Sequence, residues 1–81
     1  MNIESLKVGM KLKMRIPESQ MGNALCHIEA IVSDPANETD EYNMVVYRYW
    51  SKFRKRWFWK VHSYWHLAIY NDWECKINEE Q

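Results

Sequence analysis

The chain has 81 residues, of which 47% are hydrophobic and 15% aromatic, and its 11 basic and 11 acidic side chains give a formal net charge of zero. This length excludes a second domain, so we expect one small domain over residues 1–81, with residues 78–81 forming a polar tail. Because the sequence contains neither a signal segment nor a run of about 18 apolar residues, we expect a cytoplasmic protein that does not bind a membrane.

The zero net charge conceals a segregation of charge along the chain. Residues 1–15 sum to +3, residues 16–47 to −6, residues 48–71 to +6 and residues 72–81 to −3. Local fields of this kind steer binding partners, and blocks of opposite sign also allow self-association. The most acidic stretch, residues 34–41, is predicted to be a solvated, turn-rich loop. A metal-binding loop or a mimic of nucleic-acid phosphate is the alternative, although the spacing matches no calcium loop.

The first predicted strand covers residues 8–16, where apolar side chains occupy every second position. This period of two is typical of a strand with one face in the core. The other face carries Lys11 and Lys13, and Pro17 ends the strand because proline lacks a backbone donor. A loop over residues 17–24 follows.

The second predicted strand covers residues 26–33. Its alternation places Ile28, Ala30 and Val32 in the core and His27 and Glu29 on the other face. Ile31 breaks this pattern, because it is apolar at a position assigned to solvent.

A hairpin is predicted next, with residues 44–50 and 57–62 as its two arms and the basic segment 51–56 as its tip. Both arms are rich in β-branched and aromatic residues, which favour strands. We expect Trp50 to lie opposite Trp57, which fixes the register of the whole hairpin.

This register divides the side chains of the hairpin into two faces. The face with the tryptophans is predicted to be core, and it consists of Val46, Arg48, Trp50, Trp57, Trp59 and Val61. The other face mixes rings with polar groups that are costly to bury unpaired, so we expect it to meet water or a ligand. It consists of Val45, Tyr47, Tyr49, Phe58, Lys60 and His62.

Residues 64–77 are predicted to form a second hairpin with a tight turn at Asn71 and Asp72, because apolar and polar residues alternate there. A helix is the competing interpretation, since large apolar residues also recur every four positions from Trp65 and Ile69 onward.

Five or six short strands in so short a chain predict an all-β fold, an antiparallel meander that curls into a small barrel to hide its edges. The layout of a long loop, an acidic loop and then a tight basic hairpin resembles an SH3-like barrel. An OB-like barrel and a β-sheet with a C-terminal helix are the alternatives.

The central hairpin is also the predicted functional element. All twelve aromatic side chains lie within residues 42–73, and residues 48–71 contain six Lys or Arg and no acid. Cations on a projecting tip can neutralise phosphates, and neighbouring rings can stack bases. We therefore predict a non-enzymatic module that binds nucleic acid. The predicted ligand-binding residues are Tyr47, Tyr49, Lys52, Phe53, Arg54, Lys55, Arg56, Phe58, Lys60 and His62.

Two other interpretations of this hairpin remain open. One is a protein–protein interaction module, or a small inhibitor of a host machine carried by a phage or mobile element, with Trp50 or Phe53 as its anchor. The other is purely structural, with a solubilising tip and rings that fill the core. Binding that weakens steeply with salt separates a nucleic-acid ligand from a protein partner.

Neither catalysis nor a cofactor is predicted, because the chain has no Gly-rich phosphate loop, nucleophile elbow or paired-carboxylate motif. No metal site is predicted either, since the candidate zinc ligands contain no C-x-x-C pair. These candidates are Cys26, His27, His62, His66 and Cys75. In a reducing compartment we expect both cysteines to be free thiols.

Overall fold

The computed structural model describes residues 1–19, 22–33, 35–36 and 39–75. In this part of the chain, four antiparallel strands form one sheet in the order β1-β2-β3-β4, and a helix follows the last strand. The strands are β1 (Lys11–Arg15), β2 (Asn23–Val32), β3 (Met44–Ser51) and β4 (Arg56–Ser63). The helices are α1 (Tyr64–Asn71) and two 3-10 turns at Ile3–Ser5 and Asp40–Tyr42.

The sheet is open, with β1 and β4 at its two edges. The described residues therefore form neither an SH3-like nor an OB-like barrel, and they contain four strands rather than five or six. The alternative of a β-sheet with a C-terminal helix is confirmed. None of the helices in the described residues is long and apolar enough to cross a membrane.

Helix α1 replaces the predicted second hairpin. The Ser63 hydroxyl accepts a hydrogen bond from the His66 amide at 3.1 Å, so Ser63 both ends β4 and caps the helix. Asp72 ends the helix with a φ of 57°, a left-handed conformation that is common after a last turn. The prediction of a hairpin turn at Asn71 and Asp72 was therefore wrong. The predicted tail at residues 78–81 lies outside the described residues.

A β-bulge explains why Ile31 broke the alternation of the second strand. Ile28 and Ala30 pair with consecutive residues of β3, so Glu29 is an extra, unpaired residue. The bulge reverses the alternation beyond it. Ile31 therefore packs against the core, whereas Val32 is exposed. The predicted interior position was correct for Ile28 and wrong for Ala30, which lies opposite Val46, and for Val32.

The predicted register of the central hairpin is confirmed, because Trp50 pairs with Trp57. The predicted assignment of its faces is wrong. Tyr47 is fully buried and Tyr49 is 6% exposed, while Trp59 is 59% exposed. The physical reason is that β4 is an edge strand, where a charged or polar side chain on the core-facing side can still reach water.

We call the face of the sheet that α1 packs on the inner face. The core lies between the two, and α1 contributes Tyr64, Leu67 and Ala68 to it. The fully or nearly fully buried apolar residues are Leu6, Met14, Ile16, Cys26, Ile28, Val45, Tyr47, Tyr49, Tyr64, Leu67 and Ala68.

Asn71 fastens the end of α1 to β1. Its carboxamide oxygen accepts a hydrogen bond from the Arg15 amide at 2.6 Å, and its nitrogen donates to the Arg15 carbonyl at 3.0 Å. The same nitrogen donates to the Leu67 carbonyl at 2.9 Å. This one side chain therefore joins the last turn of the helix to the first strand of the sheet.

Candidate functional site

The side of the sheet opposite α1, which we call the outer face, carries three tryptophans that no other element of the described residues covers. Trp50, Trp57 and Trp59 are 45%, 36% and 59% exposed. They lie close together, because Trp57 pairs with Trp50 and Trp59 pairs with Arg48. The outer face includes Lys11, Lys13, Leu25, His27, Glu29, Val46, Arg48, Trp50, Trp57, Trp59 and Val61.

Arg48 lies at the centre of the outer face. Its Nε donates to Glu29 Oε2 at 2.8 Å, and its guanidinium carbon lies 4.1 Å from the ring centroid of Trp57 and 6.0 Å from that of Trp59. Glu29 is the only acidic residue in the four strands, and its position at the bulge brings it within reach of Arg48. The one carboxylate that the four strands place on this face is therefore already paired, and the Arg48 cation also contacts two of its indole rings.

Edge-to-face contacts fix the orientation of Trp57. Its ring meets that of Trp50 at a centroid distance of 5.5 Å and an interplanar angle of 75°, and that of His27 at 5.1 Å and 69°. Such contacts contribute free energy in addition to that gained from the area they bury. They also hold the rings in place without covering the sides that face solvent. The outer face is therefore an ordered aromatic surface rather than a set of loose side chains.

Cations border this aromatic surface on the β1 side. Lys11 pairs with His27 and Lys13 with Leu25, and directly opposed residues of antiparallel strands point to the same face. Both lysines are exposed. Four strands spaced by about 4.8 Å place β1 roughly 14 Å from β4, so the lysines and Trp59 delimit a strip about the width of the sheet.

The acidic residues of the described chain lie mostly on the opposite side. Asp40 and Glu41 belong to the second 3-10 turn, which contacts α1, and Asp72 caps that helix. Glu18 lies 3.9 Å from His66 of α1. The molecule therefore has a cationic, aromatic outer face and an acidic helix layer.

The hairpin tip projects from the same end of the sheet as Trp50. The buried Ser51 hydroxyl accepts a hydrogen bond from the Arg54 amide at 3.1 Å, and the Lys55 amide donates to the Ser51 carbonyl at 2.7 Å. Lys52 and Arg54 are exposed, and Phe53 is 91% exposed. The tip thus presents two cations around a free aromatic ring.

Lys55 adopts a φ of 54°, a conformation that favours glycine. Holding a side chain in this region costs on the order of 1 kcal/mol, and such strain tends to concentrate at functional sites. The tip therefore retains a cation at a position where glycine would be more stable.

The predicted ligand-binding residues divide into two groups. The tip residues Lys52, Phe53, Arg54, Lys55 and Arg56 are exposed, as a binding role requires. The predicted ring platform beside them is not available as a group, because Tyr47 and Tyr49 are buried on the inner face.

Phe58 is also engaged on the inner face. It stacks on Tyr49 at a centroid distance of 5.7 Å, and the Arg56 guanidinium covers it at 4.3 Å. The rings that sequence reasoning assigned to the core, Trp50, Trp57 and Trp59, are the accessible ones. Arg48 could have indicated which face is exposed. Its guanidinium lies in a central strand, where burial without water or a partner is costly, whereas Lys60 lies in an edge strand and can reach water from either face.

A second polar group lies on the inner face where β4 meets α1. The Tyr47 hydroxyl lies 2.9 Å from His62 Nδ1, and the His62 and His66 rings are 5.0 Å apart. Burial lowers the pKa of His62, and the neighbouring His66 and Lys60 lower it further, whereas Glu18 acts in the opposite direction. The lowered pKa favours the neutral form of His62, which shares a hydrogen bond with the Tyr47 hydroxyl.

Neither cysteine forms a disulfide, as predicted. Burial raises the pKa of Cys26 to about 12, so its thiol does not ionise at neutral pH. Among the described residues, no three His, Cys, Asp or Glu side chains are grouped to hold a metal ion. Comparisons of the chain with protein-family models, curated proteins and solved structures find no match.

Proposed function

We propose that the protein binds single-stranded nucleic acid on its outer face, with bases on the tryptophan rings and phosphates on the lysines of β1 and the cations of the tip. The observation that carries this proposal is the cluster of exposed indoles around Arg48, bordered by cations, on a face whose one carboxylate is already paired.

The indole rings supply the base-binding part of the proposed site. Sheet-borne aromatic side chains commonly stack two or three bases of a single strand, and each stacked base contributes about 1–3 kcal/mol. Trp50 and Trp59 are the most exposed of the three, and they lie on adjacent strands. A base stacked on each ring would leave Arg48 between them, where its guanidinium can reach a phosphate or a base edge.

The cations supply the phosphate-binding part. They flank the rings on two sides, with Lys11 and Lys13 on β1 and with Lys52, Arg54 and Lys55 on the tip. Each phosphate that they neutralise releases counterions, so affinity would fall with salt by about 0.7 logarithmic units of slope per contact on a single strand. The strained backbone of Lys55 is a further reason to assign the tip a binding role.

The chemistry of the face favours a single strand over a duplex. In a duplex the bases are stacked on each other, so their flat surfaces are not available to indoles that lie in a sheet. A single strand exposes those surfaces, and an open sheet accommodates it without a groove.

The test is titration of short oligo(dT), oligo(U) and a duplex of the same length at two salt concentrations, followed by quenching of tryptophan fluorescence. We expect binding to the single strands that weakens with salt. Trp50→Ala should reduce the affinity about 5- to 150-fold, the equivalent of one stacked base. Tyr70→Ala, which removes an exposed ring from α1, is the matched control and should leave the affinity unchanged.

Failure of the unmodified protein to bind any of these ligands at low salt would refute the proposal, as would an equal loss in the Trp50 and Tyr70 variants. In that case the hairpin tip favours a protein partner, since Phe53 is 91% exposed beside Trp50 and such rings serve as interface anchors.

A further inference from the structure

The two edges of the sheet differ in how well they are protected against pairing with another strand. Strand β1 has five residues, three of which are the cations Lys11, Lys13 and Arg15. Charged side chains, especially lysine, are a common device that keeps edge strands apart. Strand β4 has eight residues and pairs with β3 at every position without a bulge. It therefore presents a longer and more regular edge.

The outer-face side chains of β4 offer little protection against pairing. Trp57, Trp59 and Val61 are 36%, 59% and 53% exposed, and none is charged. Strand β4 contains neither proline nor an acid. Helix α1 contacts β4 and β1 from the inner face, and among the described residues no further strand pairs with the outer backbone edge of β4.

The two cations of β4, Arg56 and Lys60, point to the inner side of the strand and limit how a second copy can pair. Arg56 lies over the Phe58 ring at 4.3 Å, whereas Lys60 is exposed and engaged with no ring. Directly opposed like charges destabilise an antiparallel pair. Any pairing of β4 with itself must therefore keep the two Lys60 side chains apart.

Symmetry leaves two long registers for such a pair. A two-fold axis perpendicular to the sheet keeps both outer faces on one side. Opposed residues point to the same face, so the axis must lie midway between two copies of the same residue, one on each strand. Centring the pair on Lys60 opposes the two Lys60 side chains. Centring it on Trp59 opposes the two Trp59 rings, places Lys60 opposite Phe58 of the second copy, and places Trp57 opposite Val61 of the second copy.

We infer that the protein forms a two-fold dimer through antiparallel pairing of β4 with β4 of a second copy, centred on Trp59. The opposed rings and the Lys60–Phe58 pairs are the favourable cross-strand contacts of this register. The two β1 edges, which their cations protect against pairing, lie at the ends of the dimer. No third copy can therefore add by strand pairing. The two outer faces become one continuous aromatic surface, but the dimer itself does not depend on nucleic-acid binding.

Site-directed cross-linking tests the register in a Cys75→Ser background without nucleic acid. Opposed residues of antiparallel strands have Cα atoms about 4.5–5.5 Å apart, which suits a disulfide. Trp59→Cys should therefore form a disulfide-linked dimer under mild oxidation. Trp57→Cys is the matched control, because its two copies would lie roughly 13 Å apart and should cross-link far more slowly.

Sedimentation equilibrium tests the dimer without a cross-link. The unmodified protein should show twice the chain mass of 9.9 kDa as its concentration rises. Val61→Lys places a charge at the pair and should shift the protein to monomer, whereas Val32→Lys alters an equally exposed valine of β2 and should not. Circular dichroism should show both variants folded, since neither side chain lies in the core.

Several results would overturn the inference. A monomer at every concentration up to about 1 mM would exclude the dimer, because weaker association is worth less than about 4 kcal/mol. Equal cross-linking through Trp57→Cys and Trp59→Cys would exclude the register. Dissociation by Val32→Lys as much as by Val61→Lys would place the contact away from β4.

Discussion

The two faces of the β3–β4 hairpin are both aromatic, yet only one of them is buried. On the inner face, Tyr47 reaches His62 through its hydroxyl, and Tyr49 stacks on Phe58. On the outer face, the larger tryptophan rings remain in contact with solvent. Burial in this protein is therefore decided by which face α1 covers and not by which side chains are the most hydrophobic. An uncovered apolar surface of this kind usually marks an interaction site.

The strongest test of this contrast is Tyr47→Ala on the inner face. Loss of a fully buried aromatic ring should cost on the order of 3–5 kcal/mol, which is much of the stability of a small domain. Tyr47→Phe is the matched control and should cost only about 1 kcal/mol, because it removes one hydrogen bond and keeps the ring. Urea unfolding measures both. An unchanged midpoint for Tyr47→Ala would mean that the inner face is not the core.

A smaller effect is expected at the tip, where Lys52, Arg54 and Lys55 are exposed. Replacing all three with Gln should flatten the salt dependence of nucleic-acid binding by about 2 units of slope, at about 0.7 per lost contact. The urea midpoint should stay close to that of the unmodified protein. Replacing Lys7, a solvent-exposed cation outside the four strands, should leave the slope unchanged. A slope that does not respond to the triple change would place the phosphates elsewhere.

The inner face should also respond to pH through His62, whose pKa is lowered mainly by burial. The unfolded chain binds the proton more readily than the folded one. The contribution of neutral His62 to the stability of the folded state is therefore fully present above the unfolded pKa of about 6.5. It is lost as the pH falls toward the lower pKa of the folded state. His62→Gln should reduce the difference between unfolding midpoints at about pH 8 and about pH 5. An unchanged difference would show that other groups carry the pH dependence.

The smallest effect on the free energy of unfolding is expected for Trp59→Ala, in contrast to the large effect of Tyr47→Ala. Trp59→Ala on the outer face should change the free energy of unfolding of the protein by less than about 1 kcal/mol, because the ring is mostly exposed and loses little more than a distant contact with Arg48. The measurement is again a urea midpoint, taken at a concentration low enough to keep the protein monomeric. A loss as large as that of Tyr47→Ala would mean that the two faces are not distinct.

Local patterns in the sequence predicted local structure well. The opposition of Trp50 and Trp57 followed from the two aromatic arms and the basic tip alone. The basic tip itself was also placed correctly as an exposed turn. Such features depend on residues that are close together in the chain.

The faces were harder to predict, because they depend on contacts between distant residues. Tyr47 and Trp59 are both of residue types that commonly fill a core. Tyr47 is the buried one because α1 covers its face of the sheet, and the start of α1 depends on the cap at Ser63. Strand β2 posed a similar problem, since the extra residue Glu29 reversed its alternation. Arg48 and Glu29 are far apart in sequence, so the pair that organises the outer face left no local pattern.

The bond between Asn71 and Arg15 has a consequence for how the protein is made. The two residues are 56 positions apart, so a ribosome adding about 5–20 residues per second completes Arg15 roughly 3–11 s before Asn71. Once Ser63 has been added all four strands have been synthesised, but the 8 residues of α1, the helix that covers the inner face, have not. A nascent chain, or a product truncated before α1, would thus expose rings on both sides of its sheet. Such a chain is a natural substrate for chaperones and proteases until the last helix is synthesised.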